Sequence, residues 1–208
     1  MNRGELWGVA GLCLAMCGAT LAPPLAAQEA GWRLTASTAQ GWFNGGVRDS
    51  TDDVLDYSLR STVIWGLGAD HSLGKMRIGV GLSYLTSNFQ AVGPDITLVD
   101  EGFVLTQFGV TAVVTVPVLR VGNAGAGLSL SAGPALGFWS VTNSDSRTTF
   151  GGVAGLQFAA PITPKWDLLA TGSGAASGSP FLPGELPTDF ERTTLWTWQV
   201  GIGARYAP

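Results

Sequence analysis

Residues 195–206 read LWTWQVGIGARY and alternate between two kinds of side chain without a break. One face carries large apolar groups: Trp196, Trp198, Val200, Ile202, Ala204 and Tyr206. The other face carries small or polar groups: Thr197, Gln199, Gly201, Gly203 and Arg205. Alternation with a period of two is typical of a strand between two different environments. An aromatic face toward lipid and a small face toward a narrow lumen predict the closing strand of a transmembrane barrel.

Seven earlier segments alternate in a similar way. They cover residues 32–43, 55–69, 75–89, 103–120, 128–141, 150–160 and 166–178. The connections after the odd-numbered strands are long or polar, and those after strands two, four and six are short, as in outer-membrane barrels. The sequence therefore predicts an all-β, eight-stranded, antiparallel up-and-down transmembrane barrel. Pro134 lies inside the fifth strand, where its missing N–H predicts a bulge or a local break.

The alternative barrel is a soluble carrier, which has its apolar residues inside and its polar residues in water. The small face here is rich in Gly, Ser and Thr, and a narrow barrel requires small side chains inside. The large residues should therefore point into lipid. Aromatic residues near the predicted strand ends suit the girdles at the two membrane interfaces. They are Trp32, Trp42, Tyr57, Tyr84, Phe138, Trp166, Trp196 and Tyr206.

Residues 1–27 have the features of a secretory signal peptide. Arg3 supplies the positive end, residues 6–22 form an apolar core, and Ala27 is the expected cleavage position, which leaves residues 28–208 as the barrel domain. A retained membrane anchor is the alternative. Both cysteines, Cys13 and Cys17, lie in this segment. The mature chain should then contain no disulfide, Cys nucleophile or Cys zinc site.

Charge and chemistry exclude several function classes. The net charge is −4, and it stays −4 when Arg3 and Glu5 are removed with the signal. Such a chain lacks the basic face that nucleic acid requires. The lone histidine, His71, lies in a predicted turn, residues 70–74, and is expected to be solvated. Without a second base, the Ser and Thr residues have no activating partner. We expect no catalytic residue and no cofactor.

Polar residues on the predicted inner face form the main candidate site. Arg33, Arg60, Arg77 and Arg205 share the inward register with Asp56, and Asp167 is a further candidate. Gln107 and Gln199 belong to the same face. Unpaired charges in a lumen would be costly, so these groups predict a salt-bridge network that plugs the barrel.

The predicted loops are acidic. Asp49, Asp52 and Asp53 lie in the first of them. These three carboxylates are weak candidates for a divalent-cation site that bridges to lipopolysaccharide phosphates. The alternative is that they only keep the loop solvated.

The chain resembles the small outer-membrane β-barrel family, the OmpX/OmpA-like group. The resemblance rests on VPVLR at residues 116–120, on AGPALG at 132–137 and on the ending VGIGARY at 200–206. The ending resembles the carboxy-terminal assembly signal of the family, carried here by Val200, Ile202, Ala204 and Tyr206. The resemblance implies recognition by the barrel insertion machinery and by periplasmic chaperones.

These features predict a monomeric, non-enzymatic protein of the outer membrane. Its role would be structural or surface-interacting, with a plugged lumen and with outer-membrane lipid and lipopolysaccharide as partners. One alternative is a narrow channel, or a lateral route beside the Gly-rich seventh strand, for a small or apolar solute. The other alternative is a lipid-modifying outer-membrane enzyme, which the position of His71 disfavours.

Overall fold

In the computed structural model, residues 31–49, 56–92, 97–121, 125–142, 145–182 and 190–208 are described. They form antiparallel strands in one sheet. The strands are β1 (Trp32–Asp49), β2 (Asp56–Leu59), β3 (Thr62–Leu73), β4 (Met76–Val92), β5 (Thr97–Val121), β6 (Ala126–Val141), β7 (Arg147–Thr163), β8 (Trp166–Ser177) and β9 (Phe190–Tyr206). The sheet closes because β1 pairs with β9 and β4 pairs with β5. β2 and β3 share one place beside β4. The predicted eight-stranded barrel is confirmed.

The two ends of the barrel differ. At the turn end, short connections follow β3, β5 and β7, and the start of β1 pairs there with the end of β9. Gly74 (φ 63°) and Gly125 (φ 80°) lie in two of these turns, with left-handed backbone that glycine adopts without strain. The other end, which we call the loop end, carries the connections that follow β1, β4, β6 and β8; the connection after β4 spans only residues 93–96, because β4 and β5 extend beyond their predicted ends. The predicted turn at residues 70–74 was wrong in its start, because β3 continues to Leu73.

The second strand of the barrel, formed by β2 and β3, is interrupted at Arg60 and Ser61. The interruption places Leu59 on the face opposite to the predicted one. Alternation over residues 55–69 predicts that Leu59 shares the outer face of Trp65 and Leu67, but Leu59 is buried. The ladder pairs Leu59 with Phe89, whereas Ile64 pairs with Leu85, so the register differs by one residue across the interruption. An offset of one residue moves a side chain from one face of a sheet to the other. Leu59 therefore points into the barrel.

Pro134 produces a one-sided break. β6 pairs with β7 through it without a shift, with Pro134 opposite Gly152. On the β5 side the ladder passes from Ala135 to Ala132 in the same register, without bridges at Pro134 or Gly133. The register shift in this ladder lies instead near Pro117. The local break expected at Pro134 is present, and the strand remains in register.

The outer surface carries the large apolar side chains. On β9, Trp198 is 51% exposed and Ile202 is 62% exposed. Near the turn end, Trp166 lies beside Tyr206 with ring centroids 4.9 Å apart. A second aromatic row crosses four neighbouring strands through direct ladder pairs: Trp65, Tyr84, Phe108 and Phe138. In the described part of the chain, no helix is long and apolar enough to cross a membrane. The outward apolar faces are those expected of a lipid-facing barrel.

Candidate functional site in the barrel lumen

The half of the lumen nearest the loop end is filled by apolar side chains, which we call the plug. Its buried members are Phe43, Val47, Leu59, Ile64, Leu85, Leu105, Trp139, Val141, Phe181 and Leu195. Trp139 is only 1% exposed, and its Nε1 donates a hydrogen bond of 3.1 Å to Thr149 Oγ1. Trp139 is the one tryptophan of the plug among the described residues, and its indole N–H therefore has a hydrogen-bond acceptor. These side chains form a packed apolar cluster inside the barrel, and Arg147 lies opposite Trp139 in the ladder between β6 and β7.

The chain that follows β8 folds back onto the plug. Ser179 Oγ donates a hydrogen bond of 2.7 Å to the carbonyl oxygen of Gly46. Phe181 is buried, and its ring meets the ring of Phe89 edge-on at a centroid distance of 5.4 Å. Pro180, between them, is fully buried. Part of the segment that connects β8 to β9 therefore packs against the apolar cluster at the loop end.

The half nearest the turn end contains a cavity of about 560 Å³. Its walls are mostly small or polar inward-facing residues, among them Thr35, Ser37, Thr111, Ser131 and Thr171. The cavity reaches the turn end, where Arg120 and Gly125 contribute to its lining. The lumen therefore contains a polar cavity toward the turn end and packed apolar side chains toward the loop end.

Charged side chains cluster in this cavity near the turn end. Arg77 pairs with Asp70, and its Nη2 donates to the carbonyl oxygen of Gly31 at 2.9 Å. Arg205 pairs with Asp167 at 2.7 Å. Its Nη1 also donates to Gln157 Oε1 at 3.1 Å. Both guanidinium groups are nearly excluded from solvent, so the two carboxylates offset what would be a large cost of burial.

Arg33 lies in the same cavity, among the charges of Arg77, Arg205, Asp70 and Asp167. It stands opposite Asp70 in the ladder between β1 and β3. The carboxylate of Asp70 is bound to Arg77, however, and that of Asp167 is bound to Arg205. Among the described residues, Arg33 has no carboxylate within ion-pair distance. Three guanidinium groups thus share two carboxylates.

The predicted inner residues do not all meet in one network. Gln199 Nε2 donates to Ser173 Oγ at 2.6 Å, in the cavity wall. Gln107 lies farther along the lumen, against Gly137. Arg60 departs from the prediction: it is exposed, in the interruption between β2 and β3. The side chain of Asp56 lies outside the described residues.

Sequence reasoning missed Asp70, Gln157 and the plug. The prediction placed Asp70 in a turn. The sequence did indicate its true position, because Asp70 is two and four residues from Gly68 and Gly66, which lie on the inner face of β3. For Gln157 the inward register of β7 was the corresponding signal. The plug carried only a weak signal, a run of apolar residues such as FWSV at 138–141, which indicates a strand apolar on both faces.

The remaining candidates lie elsewhere. His71 is exposed on β3, with its ring 5.0 Å from that of Trp32. The side chains of Asp49, Asp52 and Asp53 lie outside the described residues, as do Ala27 and the rest of the expected signal. Within the described ranges, no group of three or more His, Cys, Asp or Glu side chains could hold a metal ion.

The residues of the expected assembly signal lie on β9. Val200 and Ile202 are exposed on the outer surface, while Ala204 and Tyr206 are half-buried there. β9 pairs with β1 on one side and with β8 on the other, so these residues belong to the strand that closes the barrel. Their recognition by an insertion machinery stays a prediction.

A closed antiparallel barrel with an apolar outer face is the fold of small outer-membrane β-barrels, and solved structures of that fold superpose on this chain. Neisserial surface protein A (NspA) superposes with a TM-score of 0.55 at 13% identity, over 84% of this chain and 96% of that protein. The outer membrane protein OprG from Pseudomonas aeruginosa superposes with a TM-score of 0.51 at 11% identity, over 86% and 97% of the two chains. No protein-family model and no curated protein sequence matches the chain. At these identities the likeness establishes the fold alone.

Proposed function

We propose that this protein is a non-enzymatic, integral outer-membrane barrel with a closed lumen and a structural or surface-interacting role. One observation carries the proposal: the barrel is apolar on its outside, and it is also apolar inside at the loop end. The outer face would be stabilised by lipid. The plug would prevent a continuous aqueous path, because packed side chains leave no room for water in that half.

Because the sheet closes within one chain, the barrel can exist in lipid as a monomer. The ladder between β1 and β9 runs from Leu34 to Asp49 and joins the first and last strands, so the sheet closes on itself within one chain. The partners that we propose are outer-membrane lipid and lipopolysaccharide, with export by the signal peptide and delivery by chaperones to the insertion machinery. Heat-dependent migration on a cold detergent gel, measured on an outer-membrane fraction, tests this placement. A soluble periplasmic protein without a mobility shift would contradict it.

A non-enzymatic role is supported by the state of the lumenal carboxylates. Asp70 and Asp167 are each held by a guanidinium group in an ion pair. A carboxylate whose oxygen atoms are engaged by a guanidinium group must leave that ion pair before it can contact a substrate. His71 follows Asp70 directly, but its exposed side chain lies beside Trp32 on the opposite face of β3 from Asp70.

A narrow transport route is the second candidate, and the cavity of about 560 Å³ favours it. A lateral opening beside the Gly-rich strand lacks support in the described residues, since β8 pairs with β7 and with β9 along its length. Recordings in planar bilayers separate the candidates. We expect no steady conductance from the wild-type protein, because the packed plug around Leu105 and Trp139 would leave no continuous aqueous path. Steady wild-type conductance would refute the closed lumen.

A further inference from the structure

The charged end of the cavity is incompletely neutralised. Arg33, Arg77 and Arg205 line it together with Arg120, and the carboxylates that line it are Asp70 and Asp167. Asp70 forms an ion pair with Arg77 and Asp167 forms one with Arg205, which leaves Arg33 without an ion-pair partner in the described residues. Three positive charges near one another repel, and a low-dielectric wall weakens the screening of that repulsion. The cluster therefore has the charge balance that attracts an anion.

A second observation concerns hydrogen bonding. Arg77 is only 4% exposed, and its Nη1 is buried without a hydrogen-bond partner in the described structure. The other nitrogens of this side chain are occupied: Nε binds Asp70, and Nη2 donates to Gly31 and Asp70 carbonyl oxygens. A buried guanidinium N–H without an acceptor is costly, so an acceptor is expected beside it. The unpaired N–H of Arg77 therefore lies in the same cluster as the positive charge of Arg33.

We propose that the turn end of the lumen binds a small oxyanion, of the phosphate or sulfate type, between Arg33 and Arg77. The surplus charge of Arg33 supplies the attraction, and the guanidinium forks supply donors whose geometry suits oxygen atoms of such anions. Hydroxyl groups of the cavity wall, such as that of Thr35, offer further donors. The cavity reaches the turn end, which gives the anion a route of entry. This inference goes beyond the proposed closed barrel, because a closed lumen requires no ligand.

Isothermal titration calorimetry tests the proposal on the full folded barrel in a maltoside detergent, with inorganic phosphate as the probe and chloride held constant. We expect one phosphate per barrel, and competition by sulfate. Arg33→Gln should weaken binding by about ten- to a hundredfold, the usual effect of losing one charge-assisted hydrogen bond. Arg60→Gln is the matched control, because Arg60 is exposed near the loop end, and it should bind like the wild type.

No saturable phosphate binding by the wild-type barrel would overturn the proposal, and would leave water as the acceptor beside Arg77. Equal binding by wild type and a folded Arg33→Gln variant would also overturn it. If the Arg33→Gln variant fails to fold, the titration of the wild-type barrel still decides whether the lumen binds phosphate. A titration with glycerol 3-phosphate separates two sources: binding as tight as that of phosphate supports a lipid-borne group, and binding of phosphate alone supports a free anion. Calorimetry reports binding and bilayer recordings report conduction, so failure of this proposal is distinguishable from failure of the closed lumen.

Discussion

Replacing Trp139 by alanine tests the idea that the loop half of the lumen is a packed core. The side chain is 1% exposed and lies among Leu105, Val141 and Leu195. A buried tryptophan removes roughly 150–250 Å² from solvent, and at about 25 cal/mol per Å² this gives about 4–6 kcal/mol as an upper bound. Removing the indole also removes one donor to Thr149. We expect Trp139→Ala to lower the free energy of unfolding by about 3–5 kcal/mol, as for other large-to-small core changes.

The assay is reversible urea unfolding of the barrel in detergent, followed by tryptophan fluorescence and by mobility on a cold gel. Trp139→Phe is the matched control, because it keeps an aromatic ring and loses the N–H. Its expected cost is smaller, about 1–2 kcal/mol, from the lost hydrogen bond and the smaller ring. A loss below about 1 kcal/mol for Trp139→Ala would refute the reasoning, because side chains in a water-filled mouth cost little to truncate.

Two further changes have expected outcomes in the same unfolding assay. Asp167→Asn leaves the buried guanidinium of Arg205 without its carboxylate and should cost about 3–5 kcal/mol; replacing both residues by apolar ones should cost less, and equal losses would argue against a desolvated pair. Gly133→Ala should cost about 1–3 kcal/mol, because its Cβ would overlap the carbonyl oxygen of Ala112. Gly172→Ala is its control, since no atom lies within 4 Å of the added carbon, and equal effects would contradict the steric explanation.

The alternation in the sequence was sufficient to predict the barrel and its lipid-facing side. Trp198 and Ile202 lie on the outer surface, as their spacing indicated. Alternation fails where the register changes, and Leu59 shows why: an offset of one residue at Arg60 and Ser61 reverses the face, and no residue type marks it. The same offset leaves Arg60 exposed.

The site was harder to predict than the fold, because sequence alone does not reveal which inward groups share a level along the barrel. Arg77 and Arg205 were expected inside, and they are, but their carboxylates belong to Asp70 and Asp167. The Asp70 assignment failed because the segment ADHSLG has the composition of a turn. A plug of paired charges was expected, whereas the side chains packed around Trp139 at the loop end are mainly apolar.

The ladder between β1 and β9 has a consequence for the kinetics of folding. It pairs Leu34 with Tyr206 and Asp49 with Phe190, so the sheet closes only when distant parts of the chain meet. Topologies dominated by such distant pairs fold slowly. Until they meet, β1 and β9 each present an open edge, which can pair with the edge of another copy. Refolding yield should therefore fall as protein concentration rises, with swapped oligomers as the by-product.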